Sequence, residues 1–327
     1  GTDYTGRQAV ANTAGIIIDG ISYKNIMDGN IISGNTQVGI GINITASDSN
    51  VIVRNYIGVD VDGNPLGNGL DGIRISQGSK KTVIGGSPEE ANIIANNGGC
   101  GVYITNDNCT QNLISCNSFY NNGGLAIDLF EPGVTPNDDL DEDSGANEKL
   151  NFPTIRQITM EDGTMRIDGN LDVMHPEFHK IEIYKAAPDP SGFGEGLQYI
   201  CTVSPCVRGA WNAYVNDFDE NDLFTTLTID PENNTSEFSA TYNSAGIFVR
   251  TEEATTDDFC LYPNPTSGSI RIELPSDKNT IVEIFDINGR RCDIITVSGS
   301  TEFDISNYSA GTYIVRANGR NKVVVKE

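Results

Sequence analysis

The sequence predicts an all-β protein, in which a right-handed parallel β-helix is followed by two small β-sandwiches of immunoglobulin-like type. Three observations favour this class. The chain has 35 Gly, four Met and no long segment of helical period, which is typical of short strands joined by many turns. A glycine-containing unit recurs along residues 1–129, and apolar residues alternate with polar ones in short runs after residue 150.

Length and charge limit the possible functions. The chain has 327 residues, of which 38% are hydrophobic and 20% charged, and this is enough for two or three domains with cores. Its formal net charge of −24 disfavours nucleic acid and anionic lipid surfaces as partners. No apolar run approaches the roughly 18 residues of a membrane span, so no transmembrane segment is predicted. Seven cysteines leave at least one thiol outside any internal pairing, and a Cys201–Cys206 disulfide and buried free thiols both remain open.

The repeat predicts the first domain, residues 1–130. A Gly-apolar-x-apolar unit begins at five glycines, which are Gly15, Gly39, Gly72, Gly101 and Gly124. Two more short apolar segments follow each of the first four units, and most of them begin with Asn. Three short strands in every turn of roughly 23 to 33 residues are what a parallel β-helix requires. The chain opens partway through a repeat and begins without a signal-peptide pattern, so we expect further coils before Gly1.

Corner and core positions follow from the same spacing. Asn accepts a left-handed backbone at little steric cost, and the asparagines predicted to stack at the corners are Asn30, Asn50, Asn55, Asn92, Asn112 and Asn117. Two inward columns are predicted, one of Met27, Ile52, Ile84 and Ile114 and the other of Ile32, Ile57, Ile94 and Phe119. The pattern predicts at least five coils, about 4.8 Å apart. The predicted outward column of the glycine-containing strands is Ile17, Gly41, Arg74, Tyr103 and Ala126.

This repeat resembles the repeats of the pectin-lyase-like β-helix superfamily. The resemblance covers residues 1–129 and implies the fold. Polysaccharide lyases of that superfamily combine carboxylates that hold Ca²⁺ with a basic residue on one flank, and the residues of these types here are Asp60, Asp62, Asp71 and Arg74. The alternative is that these four residues form turns and surface charges.

An acidic connector, residues 131–150, follows the β-helix. Asp139, Asp141 and Asp143 alternate before Gly145, and this resembles the start of calcium-binding loops in which alternate oxygens converge on one ion. The connector departs from the EF-hand pattern, because Gly does not follow Asp143 directly and Leu150 stands where Glu is required. A Ca²⁺ site at these three residues and a solvated acidic linker both remain open.

Residues 151–245 alternate in the manner of strands and predict the first sandwich. This stretch resembles a module that often follows β-helices in large bacterial surface proteins and acts there as a spacer or a binding module. Residues 246–259 have an acidic, non-periodic composition that predicts a protease-accessible linker. A second sandwich is predicted over residues 260–327.

The last segment carries four motifs in a fixed order. They are Tyr262-Pro263-Asn264-Pro265 with Gly268, a turn from Asp286 to Gly289, Gly311 before Tyr313, and a basic terminal strand with Lys326. In this order they resemble the carboxyl-terminal sorting domain of type IX secretion cargo in Gram-negative bacteria. The resemblance implies passage through the periplasm to the cell surface or the medium. It also implies contact with the secretion machinery and removal of the domain by a sortase-like peptidase.

Three functions remain open from the sequence. The first is a secreted or surface-displayed binding or adhesion scaffold that contacts extracellular polysaccharide or another surface. The second is a polysaccharide lyase or glycoside hydrolase of the same architecture. The third is a structural stalk for a domain before Gly1. No acid/base pair is evident in the sequence, so the binding scaffold is favoured over the enzyme.

Overall fold

The structure is a computed structural model that describes residues 1–20, 22–43, 48–161, 164–219, 221–243, 259–274, 278–286, 290–317 and 320–326. The chain divides into two compact units, Gly1–Phe248 and Val249–Glu327. All seven cysteines are free thiols, so Cys201 and Cys206 do not form a disulfide. No helix within the described ranges is long and apolar enough to cross a membrane.

Short strands coil through the first part of the first unit. In chain order they are β1 (Ile16–Ile18), β2 (Ile26–Asp28), β3 (Ile31–Ile32), β4 (Ile40–Ile42), β5 (Val51–Val53), β6 (Tyr56–Ile57), β7 (Ile73–Ile75), β8 (Val83–Gly85), β9 (Ile93–Ala95), β10 (Val102–Ile104), β11 (Leu113–Ser115), β12 (Ser118–Tyr120) and β13 (Ile127–Leu129). A 3-10 turn, Pro88–Glu90, lies between β8 and β9. The strands form three parallel sheets, with the orders β1-β4-β7-β10-β13, β11-β8-β5-β2 and β12-β9-β6-β3. The predicted parallel β-helix is confirmed.

The number of coils differs from the prediction. The described residues contain four complete coils and the first strand of a fifth, β13, whereas the repeats predicted at least five coils. The reason is that the chain leaves the helix after Leu129 and enters the connector, so the fifth glycine-containing unit supplies one strand only.

The core consists of stacked side chains, as predicted. Ile84 pairs in register with Ile52 on one side and with Ile114 on the other, and all three are fully buried. Ile57 likewise pairs with Ile32 and Ile94, and Ile94 pairs with Phe119. Each coil therefore buries the apolar edge of its neighbours, which is the main favourable contribution to folding in a repeat of this kind.

The fifth repeat has a different register from the one predicted. Tyr103 pairs with Asp128, so Asp128 and not Ala126 continues the outward column. Ala126 thus occupies the position held by glycine in the earlier coils. A Cβ atom at Gly101 would lie 2.6 Å from the Ala126 carbonyl oxygen, and similar clashes with the next coil would arise at Gly15, Gly39 and Gly72. The clash comes from the carbonyl of the following coil, and no coil follows Ala126, so a methyl group is accepted there.

Asparagine ladders hold the corners. One ladder runs from Asn35 through Asn68 and Asn97 to Asn122, with side-chain amide to side-chain oxygen distances of 2.7 to 3.0 Å. A second ladder joins Asn30, Asn55, Asn92 and Asn117 in the same way. Each Asn oxygen also accepts the backbone N–H of the Asn in the preceding coil. The ladders therefore satisfy corner groups that face no strand partner.

The rest of the first unit consists of two antiparallel sheets. The strands are β14 (Thr154–Glu161), β15 (Thr164–Asn170), β16 (Lys180–Ala187), β17 (Glu195–Val203), β18 (Ala210–Val215), β19 (Leu223–Ile229) and β20 (Tyr242–Asn243). Sheet β14-β15-β18 packs on sheet β17-β16-β19-β20 around a shared core that includes Ile167, Ile183, Trp211 and Phe224. Three further 3-10 turns are Asp139–Asp141, Ala146–Lys149 and Pro176–Phe178.

The sandwich covers the end of the β-helix with apolar side chains. Tyr184, Leu227, Ile229 and Phe238 belong to the same buried cluster as the helix core. The ring of Phe238 lies edge-on to Phe119, with 5.8 Å between the centroids, and edge-on to Tyr184 at 5.1 Å. The two parts of the unit therefore share one continuous core.

Buried polar side chains of the sandwich receive the backbone N–H groups of the last coil. Glu182 accepts the N–H of Cys116 at 3.1 Å, Glu195 accepts that of Asn122 at 3.0 Å, and Glu237 accepts that of Leu129 at 3.0 Å. Elsewhere in the helix such groups bond to the next coil, and here no next coil exists. The three glutamates thus replace the acceptors that a next coil would supply on three sides of the helix, and Glu195 replaces an Asn side-chain oxygen of the ladder.

The connector also contributes to this cap. Asn147 is fully buried, and its side-chain oxygen accepts the N–H of Asn112 at 3.1 Å while its amide donates to the Asn112 carbonyl at 2.7 Å. It therefore bonds, from outside the repeats, to the corner residue Asn112, which belongs to neither of the two ladders.

The second unit is a small antiparallel sandwich. Its strands are β21 (Cys260–Tyr262), β22 (Ser269–Glu273), β23 (Thr280–Asp286), β24 (Arg291–Val297), β25 (Ser300–Asp304), β26 (Gly311–Ala317) and β27 (Arg320–Lys326), in sheets β21-β22-β25 and β24-β23-β26-β27. Phe259 is 2% exposed and packs in this core with Ile272 and Val315. It is therefore a core residue of this unit, whereas the sequence placed it at the end of the linker. The remaining linker residues in 246–258 lie outside the described residues.

We predict that Gly72→Ala destabilises the first unit by about 1–3 kcal/mol, because the new Cβ would meet the Gly101 carbonyl oxygen at 2.7 Å and Ile94 at 2.8 Å. Ala126→Gly is the matched control, and it should cost about 1 kcal/mol or less. Thermal melts of both variants measure this. A melt of Gly72→Ala equal to that of the wild type would show that the coils are spaced more loosely than described.

We also predict that the first unit loses stability as pH rises from about 4.5 to 7. Burial raises the pKa of Glu237 from its usual range to about 7, despite its hydrogen bonds from Leu129 and Thr135. The folded state therefore binds more protons than the unfolded state in this window, and stability falls as pH rises through it. The melting temperature should be lower at pH 8 than at pH 5.5.

Asp141 has a pKa raised to about 7 as well and adds to the same slope. Glu237→Gln should therefore flatten the pH dependence in part, and Glu237→Gln combined with Asp141→Asn should flatten it further. An unchanged slope in both variants would mean that these carboxyl groups do not govern the pH dependence.

Candidate functional site

Polar residues gather on the outer face of the first sheet in the last coils. Arg74 of β7, Tyr103 of β10 and Asp128 of β13 are register neighbours in one outward column. Asp71 and Cys100 precede β7 and β10 in the chain. The parallel register thus brings together groups from three successive coils.

Asp71 is tied to two coils at once. Its side chain pairs with Arg74 through the Oδ2 atom, with N–O distances of 2.5 and 2.7 Å. Its Oδ1 atom accepts the backbone N–H of Cys100 at 3.0 Å. The Arg74 guanidinium lies over the ring of Tyr103, 5.8 Å from the centroid. Asp71 and Arg74 therefore have their charges compensated and their positions fixed.

Asp128 is the least satisfied member of the column. It is 3% exposed, and its Oδ2 atom accepts the N–H of Gly133 at 3.1 Å and lies 3.5 Å from the Cys100 thiol sulfur. Its Oδ1 atom is buried and has no hydrogen-bond partner among the described residues. Burial raises the pKa of Asp128, and burial together with Asp128 and Asp71 raises the pKa of the Cys100 thiol well above its usual range. A buried acceptor without a donor is rare in native proteins and points to a missing partner.

A cleft opens beside Asp128. It has a volume of about 350 Å³, and its lining includes Cys100, Leu125, Asp128, Gly133, Asp189 and Ser191. The walls therefore come from the β-helix flank, the connector and the loop between β16 and β17. We call it the flank cleft.

The sequence-predicted catalytic residues divide into two groups. Asp71 and Arg74 form the ion pair beside the flank cleft. Asp60 is a turn residue whose carboxylate accepts hydrogen bonds from the backbone N–H groups of Asp62 and Asn64, both at 2.8 Å. The hydrogen bond from the Asn64 side chain is the largest cause that lowers the pKa of Asp60, and the two backbone bonds lower it further. Asp62 pairs with Arg7 at 2.7 Å. Sequence reasoning missed Asp128, because it assigned the fifth repeat to Gly124 and so placed Ala126 in the outward column.

Three carboxylates of the connector form a second cluster. Ligand atoms of Asp138, Asp141 and Asp143 all lie within 4.8 Å of one another. Asp139, which the sequence predicted as a ligand, is exposed and is not one of the three. The cause is the 3-10 turn Asp139–Asp141, whose Leu140 and Asp141 have left-handed φ values of 59° and 61°. This backbone is not the extended one that the alternating pattern assumes.

The donor set fits a hard divalent cation. Three carboxylates supply only oxygen, and the Asp138 Oδ1 atom is buried without a hydrogen-bond partner among the described residues. Burial raises the pKa of Asp141 to about 7, with Asp138 and Asp143 adding to the effect. Lys149 approaches Asp143 at 3.9 Å and offsets part of the negative charge.

The residues of the carboxyl-terminal motifs have structural positions in the second unit. The side chain of Asn264 bonds to the terminal strand β27 through the Val323 carbonyl oxygen and the Val325 N–H, both at 2.8 Å. Tyr313 and Lys326 are buried, and Gly311 begins β26. Arg290 donates its N–H to Asp286 at 3.0 Å across the turn, and Gly289 lies outside the described residues. The other motif residues, Tyr262, Pro263, Pro265 and Gly268, lie in or just after β21.

Family comparisons agree with this division. Residues 260–327 match the family described as the secretion system C-terminal sorting domain. The last unit is a secretion sorting domain. A sorting domain of this type directs its cargo through the type IX machinery to the cell surface or the medium. Residues 2–127 match the family described as periplasmic copper-binding protein (NosD). No curated protein matches the chain.

The residues of the β-helix do not fit copper. Copper sites favour imidazole, thiolate and thioether ligands. Both histidines of the chain, His175 and His179, lie outside residues 2–127, and the three cysteines inside this range, Cys100, Cys109 and Cys116, do not form a cluster among the described residues. Among the described residues, the one group of three or more His, Cys, Asp and Glu side chains close enough to share an ion is the connector cluster, which offers oxygen only. The match to this family therefore supports the β-helix fold of residues 2–127, and the match to the sorting domain supports export of the protein.

We predict that the connector cluster binds Ca²⁺ weakly, with millimolar affinity. Adding about 10 mM Ca²⁺ should raise the melting temperature of the full chain, because an ion held by the folded state stabilises it by mass action. Asp141→Asn should abolish the shift. The matched control is Asp139→Asn, which removes an equal charge from the neighbouring exposed residue and should keep the shift. Absence of a shift in the wild type, or equal loss in both variants, contradicts a site built from Asp138, Asp141 and Asp143.

Proposed function

We propose that the chain is an exported, surface-displayed binding protein that uses the flank cleft to hold a neutral glycan. The observation that carries this proposal is Asp128, which lines the cleft and whose buried Oδ1 atom is an acceptor without a donor among the described residues. A sugar hydroxyl donates a hydrogen bond of the kind this atom needs. Asp189 and Ser191 offer further polar atoms on the opposite wall.

Charge favours a neutral ligand over an acidic one. The chain has a formal net charge of −24, and Asp128 and Asp189 line the cleft itself. A polyuronate or a phosphate polymer would be repelled. Neutral extracellular polysaccharide remains the class whose hydroxyl groups match the available acceptors.

The sorting domain supports the proposal that glycan binding takes place outside the cell. The sorting domain, from Phe259 to Glu327, delivers the preceding residues as passenger. We propose that a sortase-like peptidase of the secretion pathway cleaves within Thr251–Phe259, most of which lies outside the described residues, and that the buried Phe259 remains with the sorting domain.

Hydrolysis is the second candidate function, and one observation favours it. Asp128 has a raised pKa and lies near a second carboxylate, Asp71, which is held by Arg74. A carboxyl group of raised pKa beside an ion-paired carboxylate is the combination from which glycoside hydrolases build a proton donor and its partner. This candidate uses the same cleft, so one experiment distinguishes the two.

The test is retention of the purified full chain on neutral polysaccharides, namely mannan, xylan and β-glucan, with polygalacturonate as the acidic comparison. We expect binding to at least one neutral polymer. Asp128→Asn should weaken that binding about tenfold, because it replaces an acceptor by a donor at similar volume. Asp62→Asn is the matched control, since Asp62 pairs with Arg7 elsewhere on the helix, and it should bind as the wild type does.

Analysis of the polymers after incubation separates binding from cleavage. Intact polymer in the presence of bound protein supports the binding function, and shortened chains that Asp128→Asn no longer produces support hydrolysis. No binding by the wild type, or equal binding by Asp128→Asn, would overturn the assignment of the flank cleft.

A further inference from the structure

The sorting domain contains a cavity that its motif residues line. The cavity has a volume of about 550 Å³, and its lining includes Asp286, Arg290, Arg291, Cys292, Tyr308 and Tyr313. Asp286 belongs to the predicted turn motif and Tyr313 to the Gly-Thr-Tyr motif of β26, which are 27 positions apart in the chain. Strand β23 pairs with β26 so that Asp286 lies directly opposite Tyr313. The fold therefore joins two sequence motifs in one concave surface.

Tyr308 is one of the residues that line this cavity. Its ring packs against Tyr313 with 5.0 Å between centroids, and its hydroxyl oxygen is buried with no hydrogen-bond partner in the described part of the chain. The neighbouring Tyr313 hydroxyl, by contrast, donates to the Ser309 carbonyl at 2.9 Å. Burial, with Asp293 as the next cause, raises the pKa of Tyr308 to about 12, so this hydroxyl keeps its proton at physiological pH.

Two guanidinium side chains, Arg290 and Arg291, line the same cavity. Arg290 is 81% exposed at its side chain and pairs with Asp286 through one nitrogen at 3.2 Å. Arg291 pairs with Glu283 through one nitrogen at 2.8 Å. Because each guanidinium has five N–H donors, these pairs leave donors for a further acceptor.

The charged side chains of the sorting domain balance, unlike those of the preceding residues. Residues 259–327 contain eight Lys and Arg and eight Asp and Glu, whereas residues 1–258 carry the whole net charge of −24. The sorting domain is therefore the part of the chain that an acidic partner can approach without net repulsion.

We propose that this cavity receives a carboxylate side chain of a protein of the export machinery, presented on an acidic segment. The Tyr308 hydroxyl and the free N–H groups of Arg290 and Arg291 donate to the carboxylate oxygens, and the rings of Tyr308 and Tyr313 contact the carbon atoms behind it. This inference rests on the sorting domain and is independent of the glycan proposed for the flank cleft.

The experiment measures export of the full chain in a host with type IX secretion. Three variants are compared with the wild type. The first is Tyr308→Phe, which removes only the hydroxyl oxygen. The second is the double variant Arg290→Gln with Arg291→Gln, and the third is Arg290→Glu. For the first two variants, we expect the amount of protein retained in the periplasm to rise several-fold, and the amounts on the cell surface and in the medium to fall. For Arg290→Glu, which reverses the charge, we expect a larger rise of the periplasmic amount. The matched controls are Tyr214→Phe and Arg166→Gln in the passenger, which should export normally.

Thermal melts of the purified chains exclude a folding defect. Tyr308→Phe removes a buried hydroxyl that has no partner, so its melting temperature should equal or exceed that of the wild type. Reduced export at undiminished stability is the expected result. Normal export of Tyr308→Phe and of the double arginine variant would overturn the proposal, and so would an export defect that appears only where the melting temperature falls.

Discussion

The structure of the first unit depends on how the last coil of the β-helix satisfies its backbone. In every earlier coil, the N–H groups that face the next coil bond to that coil, while the others bond to the coil before. After Leu129 no coil follows, and a row of donors would otherwise be buried without acceptors, at a cost of about 1–3 kcal/mol for each group. Glu182, Glu195 and Glu237 remove this cost on three sides of the helix. The sandwich is therefore a continuation of the β-helix in hydrogen-bonding terms, although its strands run antiparallel.

This arrangement also creates the flank cleft. The loop that carries Asp189 and Ser191 leaves the strand β16, and β16 contributes Glu182 and Tyr184 to the cap. The position of the loop is thus set by the same contacts that close the helix. Asp128 lies in the last strand, where it is buried and lines the cleft together with residues of the connector and of this loop. The cap and the cleft proposed for binding are therefore both formed at one junction.

The parts of the fold that were predictable from sequence are those with local or periodic signals. The inward columns around Ile84 and Ile57 follow from a spacing that repeats four times, and the sorting domain follows from four motifs in order. The register of the fifth repeat was not predictable in this way, because Gly124 and Ala126 both precede an apolar residue and only the missing coil decides between them. Because that register was assigned incorrectly, Asp128, the central residue of the candidate site, was not predicted to lie in the outward column. The capping role of the three glutamates was not predictable either. A buried Glu and an exposed Glu cannot be told apart in a sequence until the N–H group that pairs with the carboxylate is known.

The asparagine ladders have a direction that bears on the length of the molecule. From Asn35 to Asn122 every amide donates towards the carboxyl-terminal coil, and Glu195 receives the last donor at 2.7 Å. Each internal link is chemically the same, so a coil added or removed between Asn68 and Asn97 would present the same donors and acceptors at both cuts. Such a change would lengthen or shorten the rod by one rung and leave the junction with the sandwich intact. Duplication or loss of a single coil can therefore change the length of the β-helix without changing the junction with the sandwich, where the cleft lies.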